Sequence, residues 1–191
     1  MTVAELERIA RKFDVLEIRR GTKEKIIPYL EILRGYHEPT FKHSVRVADL
    51  GKRIAEFTHI TEPKALWLPG IVHDLGKLEI PKELLDKTTG WTRTDAELIK
   101  KHVEFGCLLL SGLANFSALV TFYSHYFKKE DGYPSDQDFT RIFGTTYDSW
   151  SEASRTKAKY LGRLVALADT YDAITTRKND KFSPGQARLL S

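Results

Sequence analysis

Cysteine is almost absent from this sequence. The 191 residues include a single cysteine, Cys107. A disulfide needs two cysteines and a cysteine-rich zinc site needs more, so an internal disulfide and a multi-cysteine zinc site are both excluded. A chain without disulfides suits a reducing compartment, and we expect this protein in the cytoplasm.

Long apolar runs are also missing. No stretch approaches the length needed to span a bilayer, and residues 1–5 lack the apolar core of a secretion signal. We therefore expect no association with a membrane.

Charge is nearly balanced, with 30 Lys and Arg against 26 Asp and Glu and a formal net charge of +4. This small excess favours an anionic partner but does not predict a face for long nucleic acid.

Strand-type alternation of apolar and polar residues persists nowhere, and the sequence contains neither repeats nor low-complexity segments. Apolar residues recur at helical spacing instead, so we predict an all-α fold. The length fits one domain with a sizeable core. We expect residues 1–36 to form an N-terminal helical extension that packs on the domain formed by residues 37–191. The predicted helical segments are 3–13, 22–35, 40–58, 63–77, 94–110, 114–127 and 151–176.

Local signals predict where several helices begin or break. Thr40 is a candidate N-cap. Pro69-Gly70 predicts a kink or a new helix start, because a proline in a helix interior costs about 3 kcal/mol. Thr94-Asp95-Ala96-Glu97 is typical of a capping box. Residues 135–150 are expected to be irregular, with aromatic side chains that either stack on a ligand or form a small second core.

The adjacent pair His73-Asp74 offers a nitrogen ligand and an oxygen ligand from neighbouring positions. An aspartate can also bridge two cations, since each carboxylate oxygen can bind a different ion. Lys77 lies one helical turn further on, within reach of the same point. The apolar residues before the pair predict that it lies at the floor of a cleft, where a carboxylate needs a cation or donors.

Other histidines also fall on inward helix faces. His43, His102 and His125 each occupy the apolar stripe of a separate predicted helix, and Asp169 points towards the core from another. A single inward histidine is more often a core residue bonded to backbone than a ligand. Six such groups together nevertheless favour a metal centre. The two remaining histidines, His37 and His59, are expected at the surface.

Four imidazoles and two carboxylates exceed the ligand set of one tetrahedral zinc site. They suit two ions bridged by a carboxylate and a hydroxide, an arrangement typical of phosphoester hydrolysis. Mixed nitrogen and oxygen ligands favour Fe, Mn, Zn, Co or Ni over Mg or Ca. We therefore expect two divalent transition-metal ions, with Fe or Mn preferred and Zn, Co or Ni open.

Together these motifs resemble the HD superfamily of metal-dependent phosphohydrolases. More narrowly, they are similar to the HD-GYP branch, whose known activity is the hydrolysis of cyclic di-GMP. The resemblance covers roughly residues 38 to 190. It implies an all-helical bundle around a metal centre, in which Asp74 bridges the ions and Lys77 contacts the substrate phosphate or the attacking water. The implied ligands are His43, His73, Asp74, His102, His125 and Asp169.

The loop that gives the HD-GYP branch its name is degenerate here. Where the branch has His-His-Glu-x-x-Asp-Gly-x-Gly-Tyr-Pro, only His125, Gly132, Tyr133 and Pro134 match. Pro39 replaces a glutamate that some members use for a third metal. These departures favour a binuclear centre over a trinuclear one.

We therefore expect a metal-dependent phosphohydrolase that cleaves a nucleotide phosphoester, with a cyclic dinucleotide as the leading substrate. Asp74 and Lys77 are the predicted catalytic residues. The predicted substrate contacts are Lys128, Lys129, Tyr133 and Arg177. Two alternatives stay open: an HD-type nucleotidase or nucleoside triphosphate hydrolase, and a catalytically weak nucleotide-binding module that retains its metals. A homodimer is open as well.

Overall fold

The computed structural model describes residues 3–126, 133–134, 136–144 and 150–176. Helices account for 81% of these residues and no strand occurs among them, so the all-α prediction is confirmed. No helix within these ranges is both long and apolar enough to span a membrane. A 3₁₀ helix, Leu75–Glu79, separates the fourth and fifth α-helices. The α-helices are α1 (Val3–Val15), α2 (Arg20–Tyr36), α3 (Glu38–Thr58), α4 (Lys64–Val72), α5 (Lys82–Leu85), α6 (Arg93–Lys100), α7 (His102–Leu110), α8 (Asn115–Tyr126), α9 (Asp136–Phe143) and α10 (Glu152–Thr176).

Four helices form the centre of the molecule. α3 packs against α4 and α10, and α8 packs against α10. The large apolar side chains between them are removed from water, which is the main favourable contribution to folding. Phe41, Val47, Trp67, Phe122 and Leu161 are each at most 1% exposed. This core determines the relative positions of the helices that carry the inward histidines.

The first two helices pack onto this centre. The ring of Phe13 in α1 meets Trp67 of α4 edge to face, with ring centroids 5.1 Å apart. Tyr36 at the end of α2 donates a hydrogen bond from its hydroxyl to the carbonyl oxygen of Ile80 at 2.7 Å. The buried residues of both helices belong to the same apolar cluster as the central helices. The boundary at residue 36 between an extension and a domain stays a prediction.

Two glycines allow backbones to approach closely beside the His73-Asp74 pair. A Cβ atom on Gly70 would lie 2.8 Å from Cα of Ala48, so α4 touches α3 directly at this point. A Cβ atom on Gly76 would lie 1.9 Å from the carbonyl oxygen of His102. The 3₁₀ helix therefore rests on α7 with no room for a side chain between them.

The expectation of a new helix start at Pro69-Gly70 is wrong, and a kink there stays a prediction. α4 continues through Pro69 and ends at Val72. The proline removes one helical hydrogen bond, but six of the nine residues of α4 are buried, so tertiary packing offsets the loss. His73 is therefore placed by the end of a continuous helix.

The capping box lies two residues earlier than expected, and the segment 94–110 forms two helices rather than one. Thr92 is the N-cap of α6, because its Oγ1 accepts a hydrogen bond from the backbone N–H of Asp95 at 3.1 Å. The Asp95 carboxylate accepts in turn from the Thr92 N–H at 2.8 Å. Lys87, whose Nζ lies 2.5 Å from Asp95, favours this register. α6 and α7 meet at Lys101.

The N-cap of α3 is His37 rather than Thr40. Nδ1 of His37 accepts a hydrogen bond from the Thr40 N–H at 3.2 Å, and its Nε2 lies 3.1 Å from Asp86. His37 is 6% exposed, so the prediction of a surface residue is wrong. The difference arises because the ring is held between Thr40 of its own helix and Asp86, which is 49 positions away in the sequence. His59 is exposed, as predicted.

Part of the segment expected to be irregular is helical. Phe139 and Phe143 of α9 are each 8% exposed. Their ring centroids lie 4.9 Å and 5.7 Å from that of Phe122 in α8. These two residues therefore pack in a core, but it is the apolar cluster of the central helices and not the small second core that was expected as the alternative. Phe139, Ile142 and Phe143 recur at helical spacing, so α9 buries one apolar face.

The contact at Gly76 predicts a strong effect of one added methyl group. Gly76→Ala should lower the free energy of unfolding by about 3 kcal/mol, the upper end for overpacking, because the new Cβ atom meets backbone that cannot move aside. Gly35→Ala is the matched control, since nothing lies within 4 Å of its added Cβ atom in α2. Chemical denaturation measures both. Equal stability of the two variants would contradict the close contact between the 3₁₀ helix and α7.

Candidate metal centre

Six buried side chains from separate parts of the chain meet at one end of the central helices. α3 carries the first histidine, the residue after α4 carries the second, and the first residue of α7 and the end of α8 carry the others. One aspartate precedes the 3₁₀ helix and the other lies in α10. None is more than 8% exposed: His43, His73, Asp74, His102, His125 and Asp169. The structure thus brings together all six residues predicted from the sequence.

The six residues fall into two groups of three. One group is His43, His73 and Asp169, and the other is Asp74, His102 and His125. Within each group the atoms that could bind a metal lie within 4.8 Å of one another. Three ligand atoms at this spacing can converge on one ion.

Asp74 lies between the two groups. Its Oδ2 is 3.7 Å from Nε2 of His43 and 3.6 Å from Nε2 of His73. Its Oδ1 is 3.4 Å from Nε2 of His102. The two oxygens of one carboxylate therefore face different groups, which is the geometry that a bridging ligand needs.

The imidazole rings are oriented through their Nδ1 atoms. In three of them Nδ1 contacts a backbone carbonyl oxygen of the same helical turn, and such a contact requires Nδ1 to carry the proton. Nε2 then carries the lone pair that can bind a cation. The distances are 2.7 Å from His73 to Gly70, 2.5 Å from His102 to Ile99 and 3.3 Å from His125 to Thr121. Ser124 also lies 3.0 Å from Nδ1 of His125.

The fourth ring is oriented by Asp172, which sequence reasoning did not include in the site. Nδ1 of His43 lies 2.7 Å from Oδ2 of Asp172. Arg46 holds the same carboxylate with two hydrogen bonds of 2.6 Å and 2.9 Å. Burial opposes the ionised form of Asp172, but the bonds from His43 and Arg46 outweigh it and lower its pKa. The Asp169-x-x-Asp172 spacing was the available signal, because residues three apart share a helix face.

Two inward nitrogen atoms of the centre have no hydrogen-bond partner among the described residues. They are Nε2 of His43 and Nε2 of His73, and the former lies 3.0 Å from Oδ1 of Asp169. Nε2 of His102 and Nε2 of His125 face each other at 3.2 Å. Two lone pairs at that distance repel unless a cation lies near both, and buried unpaired polar atoms cost free energy. This set of ligand atoms therefore fits metal ions.

Burial sets the protonation of two of the rings. It lowers the pKa of His73, and it lowers the pKa of His102 to about 4. Both rings are therefore neutral at neutral pH, the form that binds metal. For His43, burial acts in the same direction, but contacts with Asp169 and Asp172 outweigh it and raise the pKa.

Lys77 lies beside the bridging aspartate. Its Nζ is 2.5 Å from Oδ2 of Asp74, and the residue is 9% exposed. Burial alone would raise the pKa of Asp74, but the Lys77 ammonium is the largest of the charges that hold it well below its usual range. Asp74 is therefore ionised and ready to bind a cation.

The predicted substrate contacts are only partly described. Lys128, Lys129 and Arg177 lie outside the described residues. The ring of Tyr133 lies near two of the clustered histidines, with its centroid 5.7 Å from that of His125 and 6.3 Å from that of His102. A cleft lined by His43 and Lys77 opens from the centre.

The model of the HD domain family matches residues 40–174, so the chain belongs to this family. The resemblance to the HD superfamily is thereby confirmed. No solved structure shows a significant match.

Three curated relatives share 26% to 30% of the aligned residues with this chain. A cyclic di-GMP phosphodiesterase of Pseudomonas aeruginosa is 30% identical over 149 residues, which is 75% of this chain and 32% of the relative. The 3'3'-cGAMP-specific phosphodiesterase 1 of Vibrio cholerae is 29% identical over 140 residues, 71% of this chain and 29% of the relative. A cyclic di-GMP phosphodiesterase of Thermotoga maritima is 26% identical over 161 residues, 81% of this chain and 39% of the relative. The chain thus spans roughly a third of the length of these relatives.

The contact between Asp172 and His43 predicts an indirect effect on metal affinity. Asp172→Asn keeps the shape of the side chain but loses the charge that orients and polarises the ring, so metal affinity should fall about 10- to 100-fold. A competition titration with a chromophoric chelator measures the affinity. Asp138→Asn is the control, because Asp138 pairs with Arg141 at the surface. A wild-type affinity in Asp172→Asn would show that this contact does not support the site.

Proposed function

We propose that this protein is a binuclear metal-dependent phosphohydrolase of the HD-GYP type that hydrolyses a phosphodiester bond of a cyclic dinucleotide. One observation carries the proposal. Four Nε2 atoms point inward in two groups, and a different oxygen of Asp74 lies near each group. The names of the relatives, phosphodiesterases of cyclic di-GMP and of 3'3'-cGAMP, support the substrate class. We place the activity in the cytoplasm, which suits the single cysteine.

Two divalent ions would bind at the two groups. His43, His73 and Asp169 would hold one, His102 and His125 the other, and Asp74 would bridge them. Mixed nitrogen and oxygen ligands favour Fe or Mn, with Zn, Co or Ni as alternatives. When bound, such ions supply Lewis acidity and lower the pKa of a coordinated water.

The residues around the ligands supply orientation and charge. Asp172 and the backbone carbonyls keep each histidine in the tautomer that presents Nε2. Lys77 lies at the inner end of the cleft, where its ammonium can offset the negative charge that develops on the phosphoryl oxygens. Because Lys77 is held against Asp74, little reorganisation is needed when the substrate binds.

The scale of the cleft agrees with a small-molecule substrate. Its volume is about 480 Å³, within the range of sites that enclose one small ligand. Substrate contacts by Lys128, Lys129 and Arg177 stay predictions, as does a homodimer.

A nucleotide panel separates the candidate functions. Hydrolysis of nucleoside mono- or triphosphates alone would indicate the nucleotidase alternative. Nucleotide binding without turnover of any substrate would indicate the binding module.

The bridging position of Asp74 predicts unequal effects on metal content. Asp74→Ala should lose metal more completely than His125→Ala, because Asp74 would serve both ions and His125 only one. Elemental analysis of protein purified after Mn or Fe supplementation gives the number of ions per chain, with two expected for the wild type. His59→Asn, at an exposed histidine, is the control. Equal metal content in wild type and Asp74→Ala would refute the assignment.

Removal of the Lys77 ammonium should separate catalysis from metal binding. Lys77→Met should retain metal but lower kcat for a phosphodiester substrate on the order of 10²-fold, the expected loss of one group that stabilises developing charge. Lys23→Met is the control, because Lys23 of α2 pairs with Asp14 of α1 and neither residue belongs to the metal centre. If Lys77→Met and Lys77→Ala both keep wild-type kcat, the catalytic role is wrong. If both unfold, Lys77 serves structure.

A further inference from the structure

The cleft above the metal centre continues beyond the clustered ligands to a second set of side chains. His43 and Lys77, which are 4% and 9% exposed, lie at its inner end. Lys42, Lys87 and Trp91 line it further out. None of these three belongs to the two candidate metal groups. A ligand that fills this cleft and reaches His43 and Lys77 therefore also meets an indole ring and two ammonium groups.

Trp91 is the tryptophan among the residues that line this cleft. It is 37% exposed, whereas Trp67 is 1% exposed in the core. Any of the nucleobases can stack on such a ring, because every base has a planar π-face. The aromatic residues of α9 that could have had this role, Phe139 and Phe143, are packed against Phe122 instead.

The two lysines are held in ways that suit an anionic ligand. Lys42 lies 3.2 Å from Glu38 in an exposed pair one helical turn apart. Exposed pairs of this kind are weak, so a phosphate can replace the carboxylate. Lys87 is held by Asp95, which is fixed in turn by the N-cap of α6. An ammonium has three donors, and this contact uses one.

We propose that Trp91, Lys42 and Lys87 form a nucleotide subsite at the outer end of the cleft. In this subsite the indole stacks on a base, and the two ammonium groups bind a phosphate other than the one being hydrolysed. The proposal rests on the phosphohydrolase function proposed above and defines its substrate class. A ligand with a base and a second phosphate next to the scissile bond occupies the whole cleft, whereas a simple phosphodiester occupies only the inner end.

Equilibrium binding separates the two parts of the subsite. The probes are a phosphorothioate analogue of cyclic di-GMP that resists hydrolysis and ribose 5-phosphate, which has a phosphate but no base. For the analogue, Trp91→Ala should raise Kd about 10-fold, while Trp91→Phe should recover most of the affinity. Neither variant should change the Kd of ribose 5-phosphate. Lys42→Ala should raise the Kd of both probes, and the effect should shrink as salt is added.

Matched variants control for general damage. Lys52→Ala removes another lysine of α3 that forms an exposed ion pair with a glutamate four residues away, Glu56. Tyr160→Ala removes an aromatic side chain that is 47% exposed on α10, outside the residues that line the cleft. Both should bind the two probes with wild-type Kd. Isothermal titration calorimetry on metal-loaded protein gives the Kd values, and circular dichroism checks that each variant is folded.

Hydrolysis of bis(4-nitrophenyl) phosphate by the wild type is measured in parallel, so that the two proposals fail separately. If the wild type hydrolyses this ester but Trp91→Ala and Tyr160→Ala bind the analogue equally, the subsite is wrong and the phosphohydrolase function stands. If the wild type binds the analogue through Trp91 but hydrolyses neither ester nor cyclic di-GMP, the function is wrong and the subsite stands. A wild type that does not bind the analogue contradicts the subsite.

Discussion

The hydrogen bonds of four Nδ1 atoms determine how the centre of this protein is built. Three are engaged by backbone carbonyl oxygens and the fourth by Asp172. Each ring therefore presents its Nε2 lone pair to the same buried space, and the two oxygens of Asp74 lie between them. Lys77 donates to one of these acceptors, but several lone pairs gathered in a buried space are still unfavourable. Cations that accept these lone pairs remove that cost. The orientation of the rings therefore explains both the geometry of the ligand atoms and their fit to metal ions.

This orientation depends on how the backbones pack. The carbonyl oxygen that holds His73 belongs to Gly70, the residue at which α4 touches α3. The carbonyl oxygen of His102 lies close to where a Cβ atom at position 76 would be, so only glycine fits there. Ile99 both anchors the ring of His102 and lines the cleft. Helix packing, ring orientation and access for a substrate are thus coupled through a few backbone atoms.

Helical period and inward histidines were enough to predict the fold class and the six clustered residues, because an apolar stripe must face the core. Choices between equivalent local signals were not predictable. Thr92 and Thr94 both fit a capping box, and a contact from Lys87 favours the first. The contact of Asp172 with His43 joins residues 129 positions apart, so spacing along α10 could suggest it but not establish it. In α9 the buried residues Phe139, Ile142 and Phe143 have helical spacing, so the local pattern already favours a helix where an irregular segment was expected.

The most direct test of the metal centre is anomalous diffraction from crystals of metal-loaded protein. Data collected on both sides of the absorption edge of the added ion give the number of ions and their element. The proposed centre predicts two anomalous peaks about 3.5–4 Å apart. One peak should lie beside His43, His73 and Asp169 and the other beside His102 and His125, with Asp74 between them. A single peak, or peaks remote from Asp74, would contradict a binuclear site bridged by this carboxylate.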